Sequence, residues 1–341
     1  MDTLTHALSG ALLARATVPN GAAPHSIPRR IAAGFFACAA PDLDFVTGFF
    51  GPVAYLVNHR GVTHSLVLLP LWSLGVAWLL AKLLRDPGGW RALYGISALA
   101  IGAHIAGDVI TSYGTMVLAP LSDWRAGIGT TFIIDLWFTG IITVGLIASA
   151  IAYRSRWPAL AALAVLVAYV GFQYVQRQHA LEFAAQHARP GTQIDAHPRP
   201  VSPFNWTVFV SDDEAHEFAH INLVRSEPRR YEPGDGFIAR IDSPYLPLDK
   251  AVWVRRTRYG EVDAAVGREA WNSPALGFFR WFAAEPAFDG MSEGGRCVWF
   301  VDLRFLTPGR DAMPFQFGAC REAPGAPWQA YERAARQGVS R

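Results

Sequence analysis

Glutamate is absent from the first 175 residues of this 341-residue chain, and the first one is Glu182. Residues 1–175 contain only ten lysines and arginines and seven aspartates, whereas the remaining residues carry 20 basic and 21 acidic side chains. A region with so little charge cannot form the solvated surface of a soluble domain, so we expect it to lie in a membrane. The chain therefore divides into a membrane half and a soluble half.

Other shortages exclude further classes of protein. The three cysteines, Cys38, Cys297 and Cys320, do not have zinc-finger spacing. The net charge is only +2 and the basic residues are dispersed, so no nucleic-acid partner is expected. The first residues lack a basic segment, and residues 4–14 are therefore not expected to be a standard signal peptide.

Long apolar runs predict four full membrane spans, because about 18–20 helical residues at roughly 1.5 Å each cross the hydrocarbon core. Two shorter apolar segments are too short to span alone and are predicted to be partial or re-entrant helices. The predicted full spans are residues 66–84, 92–106, 136–153 and 158–175, and the shorter segments are residues 4–16 and 31–40. The predicted fold class is a polytopic α-helical membrane bundle followed by a soluble domain.

The soluble half has a different pattern. Residues 176–200 are predicted to be a linker, which follows a helical extension of the last span. In residues 201–341, alternating apolar side chains and Gly/Pro punctuation predict an α+β extramembrane domain with an antiparallel sheet. A hairpin centred on residues 307–311 would place Cys297 nearly opposite Cys320. We expect a disulfide between them if the domain is exported.

Positive charges orient the predicted bundle. The lysines and arginines near the predicted spans fall at one set of helix ends, which the positive-inside rule makes cytoplasmic. Seven histidines and aspartates fall at the opposite ends, with His104 a turn deeper: His6, Asp42, Asp44, His59, His64, Asp108 and Asp135. We therefore expect the site and the C-terminal domain to face the exterior, or periplasm, of a bacterial inner membrane. The basic residues used are Arg15, Arg29, Arg30, Lys82, Arg85, Arg91, Arg154 and Arg156.

Four separate segments bring histidine or aspartate to that exterior face. His104 and Asp108 are four residues apart, which places them one turn apart on one face of a helix. An aspartate inside a bilayer costs roughly 2.5–3.5 kcal/mol on insertion scales, so its presence indicates a functional site. Imidazole and carboxylate are the ligands that zinc and similar divalent ions prefer. The predicted metal ligands are His6, His64, His104 and Asp108.

The other polar residues of this face are assigned catalytic and supporting roles. One of Asp42 and Asp44 is expected to be a further ligand, and the other a general base or acid. His59 completes the predicted catalytic set. Arg60, and His59 with it, is predicted to hold an anionic substrate group, because the donors of arginine are forked. The residues predicted to support the site by hydrogen bonds are Asp2, Ser112 and Asp135.

Two alternatives remain open from the residues alone. In the first, the chain is a non-enzymatic, membrane-anchored structural or interaction protein, and the His/Asp cluster is a polar core or a metal staple. In the second, the sequence from His216 to His220 is a metallopeptidase motif of the His-Glu-x-x-His type, with Glu217 as general base. That motif requires a helix, whereas the following Ile-Asn-Leu-Val alternates like a strand.

Motifs within residues 1–140 resemble, in their order, the membrane-bound metal-dependent hydrolase family, also described as inner-membrane-associated hydrolases. They are DTLTHALSG at 2–10, PDLD at 41–44, HRGVTHS at 59–65, HxxxD at 104–108 and TSYG at 111–114. The resemblance implies a membrane-bound hydrolase that needs a metal, and it names no substrate. The pair of His104 and Asp108, with an earlier His, Asp and His, is also similar to the zinc-dependent phospholipase C arrangement.

The expected function is therefore metal-dependent hydrolysis within the inner membrane. Zinc is the first candidate among divalent metals, and one or two ions are expected because no further His and Glu ligands follow Asp108. The expected partners are the lipid bilayer and an amphiphilic substrate. A phospholipid or another amphiphilic ester or phosphoester is the first candidate, since the site is expected at bilayer depth.

Overall fold

The membrane half consists of helices joined by tight turns. A computed structural model describes residues 1–19, 21–23, 25–232, 234–310 and 313–333, in one unit of residues 1–175 and a second of residues 176–341. Turns of 3-10 helix lie at Ala40–Phe50 and Val62–His64. The α-helices are α1 (Thr3–Ala16), α2 (Ser26–Ala39), α3 (Pro52–Asn58), α4 (Leu69–Leu83), α5 (Gly89–Val109), α6 (Leu136–Ile151) and α7 (Trp157–His187).

The described residues contain three helical stretches that are long and apolar enough to cross a membrane: Ser26–Phe50, Gly89–Val109 and Trp157–His187. The pair Pro52–His64 and Leu69–Leu83 passes the same test only when taken together, and it is bent by 85°. Helix α6, with 16 residues, is shorter. The prediction of four full spans is thus not confirmed, and the segment around residues 31–40 belongs to a longer stretch than predicted.

Helices α1 and α2 cross with their backbones in contact. A Cβ atom on Gly10 would lie 2.2 Å from the carbonyl oxygen of Gly34, and one on Gly34 would lie 2.4 Å from that of Gly10. Glycine is required for this approach, which gains van der Waals packing where lipid removes the hydrophobic driving force between helices. Both helices also pack against α5. The crossing therefore brings the polar residues of α1 and α5 close to the 3-10 turn that follows α2.

The described residues of the soluble half form two four-stranded antiparallel sheets, in the orders β1-β2-β3-β4 and β5-β6-β7-β8. The predicted antiparallel α+β domain is confirmed, although one sheet was expected. The strands are β1 (Gln193–Pro198), β2 (Asn205–Ser211), β3 (Ala215–Asn222), β4 (Val254–Thr257), β5 (Pro286–Met291), β6 (Cys297–Asp302), β7 (Phe317–Cys320) and β8 (Gln329–Glu332). The short helices are α8 (Phe237–Asp242), α9 (Ala264–Asn272) and α10 (Gly277–Phe282).

The stretch predicted as a linker, residues 176–200, is largely regular structure. Helix α7 extends to His187 and β1 begins at Gln193. Ala180 and Ala184 of α7 are buried in the same cluster as Trp206 of β2. The burial of apolar side chains on this helix makes the segment part of the core of the second unit.

A hairpin of β6 and β7 places Cys297 directly opposite Cys320. Their Cα atoms are 4.0 Å apart and the two sulfur atoms form a disulfide. The connection contains the predicted turn at residues 307–311, of which Asp311 lies outside the described residues. The predicted pairing is therefore present in the structure.

Candidate metal centre

Helix α5 supplies two of the polar residues, His104 and Asp108, both completely buried. Helix α1 supplies His6, the 3-10 turn after α2 supplies Asp42, and the 3-10 turn before α4 supplies His64. The structure thus brings together residues from the four segments that were predicted to share one membrane face.

Four side chains converge on one point, which we call the four-residue centre: Asp42, His64, His104 and Asp108, with ligand atoms within 4.8 Å of one another. His64 Nε2 lies 2.9 Å from His104 Nε2 and 3.1 Å from Asp108 Oδ2. His104 Nε2 lies 3.4 Å from Asp108 Oδ2, and Asp42 Oδ1 lies 3.8 and 3.6 Å from the two Nε2 atoms. Ligand atoms around a tetrahedral zinc ion are roughly 3.3 Å apart, so this spacing fits such an ion.

Hydrogen bonds behind both histidines determine which ring nitrogen faces the centre. His104 Nδ1 lies 2.6 Å from the backbone oxygen of Cys38, and His104 is the donor because a carbonyl only accepts. The Thr63 hydroxyl donates to Asp44 at 3.0 Å, so it accepts from His64 Nδ1 at 2.9 Å. In their neutral forms, both histidines therefore present an unprotonated Nε2 to the centre.

The resulting donor set favours a positive charge at its centre. Two nitrogen lone pairs 2.9 Å apart, next to two carboxylates, repel each other. Among the described residues, Asp42 Oδ2 and Asp108 Oδ2 are buried without a hydrogen-bond partner, which costs free energy. A divalent cation at the centre would remove the repulsion and coordinate oxygen and nitrogen atoms of the preferred types.

The other oxygen of Asp108 is held from behind. Asp108 Oδ1 lies 3.0 Å from His6 Nε2 and 3.0 Å from Arg60 Nη2, and it also contacts the amino group of Met1. Arg60 donates in addition to the hydroxyl of Thr111 at 2.9 Å. These bonds orient the carboxylate so that Oδ2 faces the centre, as outer partners of metal ligands do.

Arg60 lacks the exposed position that the predicted substrate binding needs. It is buried, and its guanidinium bonds to Asp108 and Thr111, so its contacts favour a role in positioning Asp108. Its φ of +60° is in the left-handed region, which costs a non-glycine residue on the order of 1–3 kcal/mol. Asp44 Oδ2 accepts the backbone N–H of Arg60 at 2.9 Å and helps to hold this conformation.

Asp42 and Asp44 have different partners. Asp42 faces His64 and His104, whereas Asp44 Oδ1 accepts from His59 Nδ1 at 2.8 Å. The two aspartates lie on a 3-10 helix, where residues two apart point roughly 240° apart. The side chain of His59 is 13% exposed, and its ring centroid lies 6.1 Å from that of His64.

His6 is next to the four-residue centre and outside it. Its ring stacks on His104 with the ring centroids 3.7 Å apart, and its Nε2 bonds to Asp108.

His6, Cys38 and His104 form a second group whose ligand atoms lie close together. Sequence reasoning missed Cys38, because a single cysteine in an apolar helix is usually a core residue. The one feature of the sequence that could have indicated Cys38 is its position one helical turn before Pro41, where the segment leads to Asp42.

Of the three predicted supporting residues, two are helix caps. In the described part of the chain, Asp2 accepts from the backbone N–H of Thr5 at 3.0 Å and begins α1. Asp135 begins α6 by accepting two backbone N–H groups, and it also bonds to Tyr169 and Gln173 of α7. Ser112 lies, half-buried, in the bend after α5. None of the three belongs to the four-residue centre.

The metallopeptidase alternative is wrong, because its motif lies on a strand. His216, Glu217 and His220 are all in β3, where residues four apart are separated by about 13 Å and cannot chelate one ion. His220 Nδ1 instead pairs with the hydroxyl of Thr207 at 2.7 Å. Burial, and then the charge of Arg199, lowers the pKa of His220 to about 3, so it is a neutral core residue at physiological pH.

An apolar groove of about 350 Å³ opens beside the centre. Its polar lining includes Asp44, which bonds to His59, and Thr63, which bonds to His64. Two apolar residues of its lining, Leu43 and Val62, are 62% and 47% exposed. The complete lining is Ala40, Pro41, Leu43, Asp44, Val46, Thr47, Asn58, Val62, Thr63, Trp72, Val76 and Ile101. The groove is thus open on an apolar outer surface, and its closest link to the centre is through the partners of Asp44 and Thr63.

Comparisons with known proteins concern mainly the unit that contains this centre. The family described as YdjM inner membrane protein matches residues 1–180. The chain is 30% identical over 179 residues to the uncharacterized protein YfhP of Bacillus subtilis (strain 168), covering 52% of this chain and 54% of that protein. It is 33% identical over 113 residues to the inner membrane protein YdjM of Escherichia coli (strain K12), covering 30% of this chain and 52% of that protein. The chain spans about half the length of these curated relatives. No solved structure matches it.

Proposed function

We propose, because the chain belongs to the YdjM inner membrane protein family, that its membrane unit is a metal-dependent hydrolase of amphiphilic phosphoesters. The family and the long apolar helices place the chain in the inner membrane. The observation that carries the proposal is the pair of inward-facing Nε2 lone pairs, on His64 and His104, next to two buried carboxylates. A divalent cation would satisfy both lone pairs and both carboxylates at once, whereas a single proton shared between the two rings would satisfy only one of them.

Asp42, His64, His104 and Asp108 would hold the metal, and zinc suits a set of two imidazoles and two carboxylates best. When bound, a divalent metal supplies a Lewis acid and lowers the pKa of water enough to give a nucleophile near neutral pH. The chain itself provides the orientation. Cys38 fixes the ring of His104 through its carbonyl, and the residues behind Asp108 fix its carboxylate.

His59 is the residue best placed to transfer a proton. Asp44 accepts the Nδ1 proton of His59, which leaves Nε2 of the neutral ring as a proton acceptor. In hydrolysis, His59 takes a proton from the attacking water as the new P–O bond forms. It then gives that proton to the leaving oxygen as the old P–O bond breaks. Asp44 is a positioning residue, since it also bonds to Thr63 behind His64.

The groove supports an amphiphilic substrate, with a phospholipid as the first candidate. Its mostly apolar lining is suited to an acyl chain, while Asp44 and Thr63 connect it to the polar centre. Burial of apolar surface gains roughly 25 cal/mol per Å², so a chain in the groove would contribute much of the binding free energy. The ester of a lipid held there would lie close to His59 and the four-residue centre.

Hydrolysis of phosphatidylglycerol in mixed detergent micelles tests the proposed function. We expect the zinc-loaded full-length protein to release diacylglycerol or phosphatidic acid. Stripping the metal with EDTA should abolish release and zinc should restore it, because the metal supplies both the Lewis acid and the nucleophile. Lipid products are separated by thin-layer chromatography. The water-soluble bis(p-nitrophenyl) phosphate serves as a minimal phosphodiester. A metal-loaded protein that cleaves neither compound would favour the structural, metal-stapled alternative.

We also propose that the centre and the second unit face the periplasm. Arg15 donates to the carbonyls of Tyr153 and Ser155, and Arg30 donates to that of Thr17, so basic residues gather at one end of α1, α2 and α7. The positive-inside rule makes that end cytoplasmic. Helix α7 starts there and leads to the second unit, whose disulfide is typical of an oxidising compartment.

Reporter fusions at the C-terminus test this orientation in a bacterial host. An alkaline phosphatase fusion should be active, because that reporter folds only after export, and a cytoplasmic β-galactosidase fusion should be inactive. The opposite pair of activities would show that the second unit is cytoplasmic.

A further inference from the structure

A second group of metal-ligating side chains lies in the soluble unit: Asp195, His197 and Glu285, whose ligand atoms all lie within 4.8 Å of one another. Asp195 and His197 are two residues apart on β1 and so share one face of its sheet. Glu285 immediately precedes β5 of the other sheet. The group therefore connects the two sheets, and we call it the inter-sheet group.

His197 is the informative member of this group. It is only 5% exposed, and within the described residues neither of its ring nitrogens has a hydrogen-bond partner. A buried imidazole without partners costs free energy that native interiors normally avoid. Its Nε2 lies 3.6 Å from Asp195 Oδ2, which is too long for a hydrogen bond. That distance is close to the roughly 3.3 Å between two ligands of one tetrahedral ion.

A neighbouring histidine shows how an ordinary core histidine is satisfied in this interior. Both ring nitrogens of His216 have partners: Nδ1 lies 2.8 Å from the hydroxyl of Ser211 and 2.8 Å from Oε2 of Glu285, and Nε2 lies 2.7 Å from the carbonyl of Pro286. His197 is buried in the same unit and lacks both kinds of contact. Hydrogen bonding therefore does not account for the burial of His197, as it does for the burial of His216.

Both carboxylates are held by other residues. Asp195 Oδ1 accepts from Arg177 at 2.5 Å and from the backbone of Ala196 at 2.7 Å, whereas Oδ2 is the oxygen near His197. Glu285 Oε2 accepts from the hydroxyl of Ser211 at 3.0 Å and lies 2.8 Å from His216 Nδ1. Such bonds fix the direction of metal-ligating carboxylates. Glu285 is buried and Asp195 is 33% exposed, so an ion could enter from the side of Asp195.

We propose that Asp195, His197 and Glu285 bind a divalent metal ion, with zinc as the best match, and that this ion ties the two sheets of the soluble unit together. One imidazole and two carboxylates are within the ligand range of zinc, and water would complete the coordination. The site is independent of the four-residue centre. Its role is structural, since a ligand set contributed by both sheets couples metal binding to the folded state.

Zinc titration of the metal-stripped, full-length protein tests this site. We use an Asp42→Asn background, which removes a ligand of the four-residue centre only. We expect one equivalent of zinc to bind in this background, with a rise in the melting temperature. His197→Ala and the isosteric Glu285→Gln should bind none and show no rise. A matched control, His179→Ala, changes an exposed histidine of the same unit and should bind one equivalent.

The outcomes separate this proposal from the proposed function. Equal zinc content in the background protein and in both His197→Ala and Glu285→Gln would overturn the inter-sheet site. If instead the protein with wild-type Asp42 binds a single equivalent that His197→Ala removes, the inter-sheet site stands and the four-residue centre fails. If His197→Ala does not fold, the zinc content of the isosteric Glu285→Gln decides alone: loss of the equivalent supports the inter-sheet site, and unchanged content overturns it.

Discussion

Asp42→Asn is expected to remove one equivalent of bound metal from the purified protein. Asparagine keeps the volume of the side chain but takes away one of the two anionic ligands, while the ion pair between Asp108 and Arg60 stays intact. His104→Ala should have the same effect, because it removes one of the two Nε2 donors. Outer partners of metal ligands already contribute about 10–100-fold to affinity, so loss of a ligand should lower affinity by more than about 100-fold.

Metal content per protein, measured by inductively coupled plasma mass spectrometry after dialysis, checks this result. The matched control is His25→Ala, which removes an exposed histidine at the start of α2 and should keep the full metal content. Asp108→Asn is less selective, because it leaves the buried guanidinium of Arg60 without its carboxylate, and loss of one member of a buried pair costs about 3–5 kcal/mol. Full metal retention in both Asp42→Asn and His104→Ala would show that the four-residue centre is a hydrogen-bonded polar core.

His59→Ala is expected to lower kcat for phosphoester hydrolysis by about 10²–10⁴-fold without loss of metal, which is the usual contribution of a general acid–base residue. The hydrogen bond of His59 goes to Asp44, which is outside the four-residue centre. The metal should therefore stay bound when His59 is replaced. Asp44→Asn should lower kcat and change the pH profile of kcat, since an amide does not hold the ring of His59 in one tautomer as a carboxylate does.

Single-turnover hydrolysis of the micellar substrate, together with the metal content of each variant, separates the two roles. The exposed His179 provides the control, and His179→Ala should keep the wild-type kcat. Unchanged kcat in His59→Ala would refute the proton-transfer role and leave the metal proposal standing. Loss of both kcat and metal would show instead that His59 is needed to form the four-residue centre.

The error in the predicted spans has a local cause. Proline inside an α-helix removes a hydrogen bond, so Pro41 can either stop a helix after residue 40 or restart one. In the structure, Pro41 is at the start of a 3-10 turn, where its missing N–H is not needed, and the helical path continues to Phe50. Conversely, α4 begins at Leu69, whereas the predicted span begins at residue 66. The Ser65 hydroxyl accepts the backbone N–H groups of residues 67 and 68, which therefore form a capped turn before the helix.

The contrast between Asp42 and Asp44 shows where prediction of the site ends. The residues alone indicated that one aspartate would be a ligand and the other would act on protons, and both remained candidates. The choice depends on the 3-10 conformation of this turn and on the approach of His59 to Asp44. Arg60 is a second example. Its forked donors indicated an anion, but burial next to Asp108 makes a carboxylate of the same chain its partner.

The sequence by itself determined that the first half of the chain consists of apolar membrane helices, that a few histidines and aspartates interrupt them, and that the second half contains antiparallel sheet. These properties follow from local composition and periodicity, because charge is costly in lipid and apolar side chains must be buried. Only the tertiary structure decided which side chains meet. His6 and Asp108 are 102 residues apart in the chain, and their contact depends on the close crossing of α1 and α2 at Gly10 and Gly34 and on the packing of both helices against α5. Angles and distances of that kind arise from contacts between segments, which no single segment encodes.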